Sequence, residues 1–144
     1  MKSEKGVAAV EFALVLPLLV LLAFGIIEFS LALYDKAVIT NASREGARAG
    51  IVAQSPKVKD AEIKAAVINY CNPHLITFRT DQTIKGTDIT IVPPDSRDGM
   101  PFGTDLTVTV TYRYDFLVFP GLTRLMGGSL GPIDLVARTT MKME

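Results

Sequence analysis

The chain contains one apolar run long enough to cross a lipid bilayer, and it lies near the N-terminus. The run is unbroken from Phe12 to Ile27, and extended back to Val7 it spans 21 residues with Glu11 as its only charge. As a helix, that length covers roughly 31 Å, about one hydrocarbon core. We therefore predict a single membrane-spanning helix over residues 7–33.

The charges around this run predict its orientation. Lys2 and Lys5 precede it, and basic flanks favour the cytoplasmic side. Residues 34–144 would then form a domain on the opposite side of the membrane. The whole chain has 15 basic and 15 acidic side chains, so no basic field is present to hold nucleic acid.

Three interpretations of the N-terminal segment are open. It is a plain anchor, or a secretory signal cleaved after the small-residue stretch Ser30-Leu31-Ala32, or a prepilin-type helix with a leader over residues 1–6. Cleavage after Gly6 would make Val7 the first mature residue and Glu11 the fifth. That is the spacing found in type IV pilins.

A carboxylate this close to the membrane is costly and calls for an explanation. In the prepilin interpretation, cleavage creates a new amino group at Val7, and Glu11 of one subunit neutralises the amine of a neighbouring subunit. In the alternative interpretation, Glu11 lies at the level of the lipid headgroups, near Lys5, and is solvated. The spacing alone does not separate these two.

Two sequence blocks form a recognisable pattern, the first from residue 6 to residue 29 and the second from residue 40 to residue 48. They read Gly6-Val-Ala-Ala-Val-Glu-Phe-Ala-Leu-Val-Leu-Pro-Leu-Leu, continuing to Phe24-Gly-Ile-Ile-Glu-Phe29, and Thr40-Asn-Ala-Ser-Arg-Glu-Gly-Ala-Arg48. Together these blocks resemble the TadE-like family, the pseudopilins of the bacterial tight adherence (Tad, or Flp pilus) system. Val7 departs from the phenylalanine that is common at the first mature position of pilins, the position at which pilins are N-methylated.

The resemblance implies a structural or assembly protein of a surface pilus involved in adhesion. It implies an inner-membrane location, a periplasmic C-terminal domain that becomes extracellular if it enters the pilus, and cleavage by a prepilin peptidase. The implied partners are that peptidase, other pilin or pseudopilin subunits, an inner-membrane assembly platform and the lipid bilayer. The alternative function is a periplasmic binding or adhesion domain, membrane-anchored or secreted, that does not enter a pilus.

The first helix is predicted to continue beyond the membrane to about residue 50. Pro17 lacks an N–H and predicts a kink or a loosened turn, although an ordinary membrane-helix proline is the alternative. Arg44 and Arg48 share one helix face, where they would pair with Glu28, with Asp35 or with a partner subunit. The alternative is a solvated face opposite a small-residue side that packs on a sheet. That side comprises Ala42, Gly46, Ala49 and Gly50.

The remaining chain predicts an α+β fold with a second helix and about three antiparallel strands. Ser55-Pro56 predicts the start of the second helix, which would run to about Tyr70. Its predicted inner stripe is Val58, Ala61, Ala65 and Ile68. The predicted strands cover residues 88–92, 105–119 and 133–141, with a short helix over residues 122–126.

No catalytic, metal or cofactor site is predicted, and no enzyme. The sequence lacks a phosphate loop, a nucleophile elbow and a zinc signature. The spacing of Asp95, Asp98 and Asp105 does not match an EF-hand. Cys71 is expected in the core and His74 in a turn or on the surface. The apolar, glycine-rich segment 116–130 is either core or a surface that meets other subunits.

Overall fold

The residues that the structure describes form three α-helices, a short 3₁₀ turn and three strands. The computed structural model describes residues 2–53, 55–78, 82–95, 97–125, 127–128 and 131–143. The elements in chain order are α1 (Lys2–Gly50), α2 (Asp60–Cys71), the 3₁₀ turn (Gly86–Asp88), β1 (Ile89–Val92), β2 (Asp105–Tyr114), α3 (Phe119–Leu125) and β3 (Ile133–Lys142). The predicted α+β fold class is confirmed.

The chain divides into two compact units. One contains Met1–Leu31 and Phe116–Gly131, and the other contains Ala32–Asp115 and Pro132–Glu144. The helix α1 is continuous over 49 residues and therefore belongs to both units. Its first part and its last part have different surroundings, which are described separately.

In the first unit, α1 is one helix from its start, passing through Pro17 without interruption. Residues 6–24 are all solvent-exposed in the isolated chain, and nearly all are apolar. The segment that follows β2 contains α3, and the rings of Phe116 and Phe119 meet edge to face with their centroids 5.9 Å apart. The predicted short helix over residues 122–126 is present but begins earlier, at Phe119, and its last position lies outside the described residues.

In the second unit, the strands form an antiparallel sheet in the order β1-β2-β3. Ile89 pairs with Val110, and Tyr114 pairs with Ile133. The central strand β2 alternates as predicted, since its even-numbered residues from Leu106 to Tyr114 are buried. This period of two is what a strand with one covered face requires.

The core of the second unit lies where the last part of α1 meets α2 and β2. Residues buried on α1 include Ile39, Ala42, Ala47 and Gly50. A Cβ at Gly50 would overlap Cδ2 of Leu106, so the helix backbone runs very close to the sheet here. The predicted packing of the small-residue side of α1 is confirmed.

The predicted start of the second helix at Ser55-Pro56 is wrong. α2 begins at Asp60, and Lys59 before it is extended (φ −74°, ψ 155°). The reason is a tertiary contact, because the carboxylates of Asp98 and Asp95 accept the backbone N–H groups of Lys57 (2.7 Å) and Asp60 (2.5 Å). These acceptors hold the segment before Asp60 outside the helix.

The predicted inner stripe of this helix is also wrong. The buried positions of α2 are Ile63, Val67 and Cys71, which recur every four residues. Ala61 and Ala65 of the predicted stripe are exposed. Ile63 and Val67 carry more apolar surface than the alanines, so turning them inward removes more of it from water.

The third difference concerns the end of β2. The strand was predicted to reach residue 119, yet it ends at Tyr114. The backbone N–H groups of Leu117 and Val118 instead donate to the carboxylate of Glu28. They are therefore not available to a neighbouring strand.

Candidate functional site

The candidate site is α1 itself, because the predicted assembly residues lie along this helix. Glu11 is exposed and sits among exposed apolar side chains, including Val7, Val10 and Phe12. Among the described helices, α1 is the one long and apolar enough to cross a membrane. In a bilayer, Glu11 would lie about one turn inside the start of the apolar run, where an unpaired carboxylate is unfavourable.

The predicted cleavage position is sterically open. Gly6 and Val7 are both exposed, and a Cβ built on Gly6 meets no heavy atom within 4 Å. The glycine is therefore not required by packing within this chain. A requirement for glycine at this position would have to come from another protein.

Glu28 is a deeply buried charged side chain of the first unit, with 1% of its surface exposed. Its Oε1 accepts the backbone N–H of Leu117 at 2.6 Å, and its Oε2 accepts the N–H of Val118 at 3.0 Å. Hydrogen bonds to a charged acceptor are about twice as strong as neutral ones. Glu28 was considered as a possible contact of Arg44, of Arg48 or of a partner subunit, and the structure shows that it accepts hydrogen bonds from this chain's own backbone.

Asp35 is the corresponding buried acid of the second unit and is fully buried. Its Oδ1 accepts the backbone N–H of Ile76 at 2.9 Å, while its Oδ2 has no hydrogen-bond partner among the described residues. Burial raises the pKa of this carboxyl, opposed by the hydrogen bond from Ile76. Burial, together with the charges of Asp35 and Asp115, raises the pKa of Tyr112 to about 12.

Arg44 and Arg48 lie on the exposed face of α1. The Arg44 guanidinium reaches Oδ1 of Asn41 at 3.5 Å, a weak contact within the same helix. The two arginines therefore form a basic face that is open in the isolated chain. Their pairing with a partner subunit stays a prediction.

Arg97 is a structural residue that the sequence analysis missed. Its side chain is fully buried and donates to Oδ1 of Asp60 at 2.5 Å, to the carbonyl of Pro93 at 3.0 Å and to the carbonyl of Val58. It joins the loop before β2 to the start of α2. An arginine between Asp95 and Asp98 in a polar loop gave no signal of burial.

The other side chains considered in the sequence have ordinary surroundings. Cys71 is a free, buried thiol, as predicted, and burial raises its pKa to about 11. The His74 ring stacks on Tyr70 with a centroid distance of 5.1 Å. Within the described ranges, no three His, Cys, Asp or Glu side chains are grouped closely enough to hold a metal ion.

A groove of about 740 Å³ lies in the second unit, beside the end of β2. Its lining combines acidic and basic side chains, among them Asp88, Asp115, Asp134, Lys85 and Arg113. The Asp115 carboxylate already accepts a hydrogen bond of 2.6 Å from Gln82. The groove is thus polar and mixed in charge.

Comparison with known proteins identifies the family of the N-terminal segment. Residues 6–48 match the family model described as TadE-like protein. No curated protein and no solved structure matches the chain. The match begins at Gly6 and covers nearly all of α1, so the chain carries a TadE-like segment over residues 6–48, as the sequence resemblance predicted.

Proposed function

We propose that this chain is a pilin-like structural or assembly protein of a bacterial Tad-type surface pilus, and that it has no enzymatic role. The observation that carries this proposal is that the TadE-like segment coincides with a single helix whose two parts have different surroundings. The first part of α1 is exposed and apolar, whereas the part from Ala32 onward packs in the core of an α+β unit. A helix of this kind can be inserted in a membrane before assembly and can later pack against the same helix of other subunits.

In this proposal, a prepilin peptidase cleaves after Gly6 in the inner membrane, with the C-terminal domain in the periplasm. The new α-amino group at Val7 is positively charged at neutral pH in water. Within a bundle of apolar helices, that charge and the carboxylate of Glu11 are each costly alone, and their pairing offsets part of both costs. The pairing therefore sets the axial register between neighbouring subunits.

A second candidate is a binding or adhesion domain on the same anchor that does not enter a pilus. The groove in the second unit supports it, because a cavity of about 740 Å³ with mixed charges can hold a polar ligand. This candidate needs no partner for Glu11 and no particular residue at position 6. The two proposals therefore differ in what they require of α1.

The test of the main proposal replaces Glu11 in cells that carry the complete pilus system. Glu11→Gln and Glu11→Ala should both reduce surface pili, while Glu45→Gln, an exposed acid farther along α1, should leave them unchanged. Pili are counted by electron microscopy, and the level of the protein in the membrane is measured in parallel. Normal pili in both Glu11 variants would contradict the pairing role.

A further inference from the structure

The segment that contains α3 packs against the membrane-proximal turns of α1. Both belong to the same compact unit. The two oxygens of Glu28 hold the N–H groups of Leu117 and Val118, and the position of a Cβ on Gly25 lies 3.7 Å from Cζ of Phe119. The contacts on α1 thus fall at residues 25–28, where the apolar run ends.

The position of Glu28 fixes the height of this segment along α1. A carboxylate that loses nearly all its water is unfavourable unless it is hydrogen-bonded, and here two backbone N–H groups meet that need. Since the unbroken apolar run ends at Ile27, within the predicted span of residues 7–33, a helix that spans the bilayer places Glu28 near its outer boundary. The segment bound to Glu28 then lies at the same boundary.

The surface of this segment is apolar at residues 116–119. The side chain of Leu117 is 50% exposed, and Phe116, Val118 and Phe119 are partly exposed. The neighbouring residues Ile26 and Ile27 of α1 are more than half exposed. The apolar surface of α1 therefore continues onto the segment at the level where the hydrocarbon core gives way to headgroups.

We propose that residues 116–119 are a second membrane contact, lying in the outer interfacial layer of the bilayer with Glu28 as the positioning residue. The partner of this surface is phospholipid. Elements with apolar side chains on one side bind at this depth without crossing the membrane. The inference rests on the proposed membrane span of α1 and adds a contact that the TadE-like match over residues 6–48 does not include.

The experiment uses the absence of tryptophan from the chain. Leu117→Trp reports on the segment, and Leu19→Trp reports on the middle of the apolar run. Phe102→Trp is the control, at an 85%-exposed site in the second unit, just before β2. The full-length protein is placed in phosphatidylcholine vesicles whose acyl chains carry bromine either near the glycerol end or near the middle. Bromine quenches tryptophan only at short range.

The proposal predicts that Leu117→Trp loses emission most strongly with bromine near the glycerol end. Leu19→Trp should lose most with bromine near the middle, and Phe102→Trp should lose none. If Leu19→Trp is quenched and Leu117→Trp is not, α1 spans the membrane but the segment does not contact lipid, and the proposal is overturned. A segment that packs on a neighbouring subunit instead of lipid would give this result. If Leu19→Trp is not quenched, the membrane span and this inference both fail.

The role of Glu28 is tested on the Leu117→Trp protein. Glu28→Ala removes both acceptors and should reduce the quenching of the introduced tryptophan by shallow bromine, while Glu28→Gln keeps one carbonyl acceptor and should have a smaller effect. Glu45→Ala, at an exposed site, serves as the control. Quenching that is unchanged in Glu28→Ala would overturn the positioning role.

Discussion

Gly46 of α1 lies so close to Val67 of α2 that a Cβ on the glycine would be 2.5 Å from Cγ2 of the valine. The same Cβ would lie 3.4 Å from Cγ1 of Val108 on β2. A valine side chain has one strongly preferred rotamer in a helix and does not turn aside easily. The close approach of α1, α2 and β2 therefore depends on the absence of a side chain at position 46.

We predict that Gly46→Ala lowers the free energy of unfolding by about 1–2 kcal/mol, because the cost of overpacking exceeds the gain in helix propensity. Gly25→Ala is the matched control in the same helix, since its Cβ would have 3.7 Å of space to the nearest atom. Denaturant unfolding of the full-length protein in detergent measures both variants. A Gly46→Ala protein at least as stable as the natural chain would contradict this packing.

Substitution of Arg97 should lower the stability of the second unit more than substitution of its other charged residues. Arg97→Ala leaves Asp60 and the carbonyls of Pro93 and Val58 without their donor, at a cost of about 3 kcal/mol. Arg97→Lys should recover only part of this loss, because one ammonium cannot reproduce the planar fork of a guanidinium. The exposed Arg44→Ala is the control and should change the melting temperature little.

Asp35 gives a pH-dependent prediction. Its folded pKa is raised from 3.8, so its contribution to stability is fully present below that value and is lost as the pH rises through the folded pKa. Above the folded pKa, the buried charge of this carboxylate lowers the stability of the fold. Asp35→Asn keeps an acceptor for the N–H of Ile76 and removes the charge.

Asp35→Asn should therefore raise the melting temperature near neutral pH, and this advantage should disappear when the pH falls below 3.8. Asp35→Ala is the companion variant, which removes the acceptor as well and should be less stable than Asp35→Asn at both pH values. Thermal unfolding of the full-length chain at the two pH values supplies the comparison. An Asn variant that is less stable near neutral pH would show that the charge is needed.

The apolar run and the strand alternation were the predictable features of this molecule. The length of the run predicted α1 as a membrane-spanning helix. The alternation from Leu106 to Tyr114 predicted the buried face of β2, because burial on one face of a strand imposes a period of two. The start of α2 was not predictable, since the local signal at Ser55-Pro56 competes with acceptors from Asp95 and Asp98. These acceptors lie 35 and 41 residues away in sequence from the N–H groups that they bind.

The contact between Glu28 and the backbone near Leu117 joins residues that are 89 positions apart. A glutamate just after an apolar run is also what an exposed boundary residue looks like, so the sequence did not reveal this contact. The burial of Arg97 was hidden as well, because its acceptors include two backbone carbonyls besides the carboxylate of Asp60. Backbone partners leave no side-chain pattern in the sequence.

The mature N-terminus is the most direct measurement of the central claim. The protein is purified from membranes of cells that express the complete pilus system, and its intact mass is determined. Because a Cβ at position 6 fits without contact, Gly6→Leu should fold normally and stay uncleaved, which separates recognition by the peptidase from stability. The account predicts a chain that begins at Val7, whereas a chain beginning at Met1 or at Leu33 would contradict it.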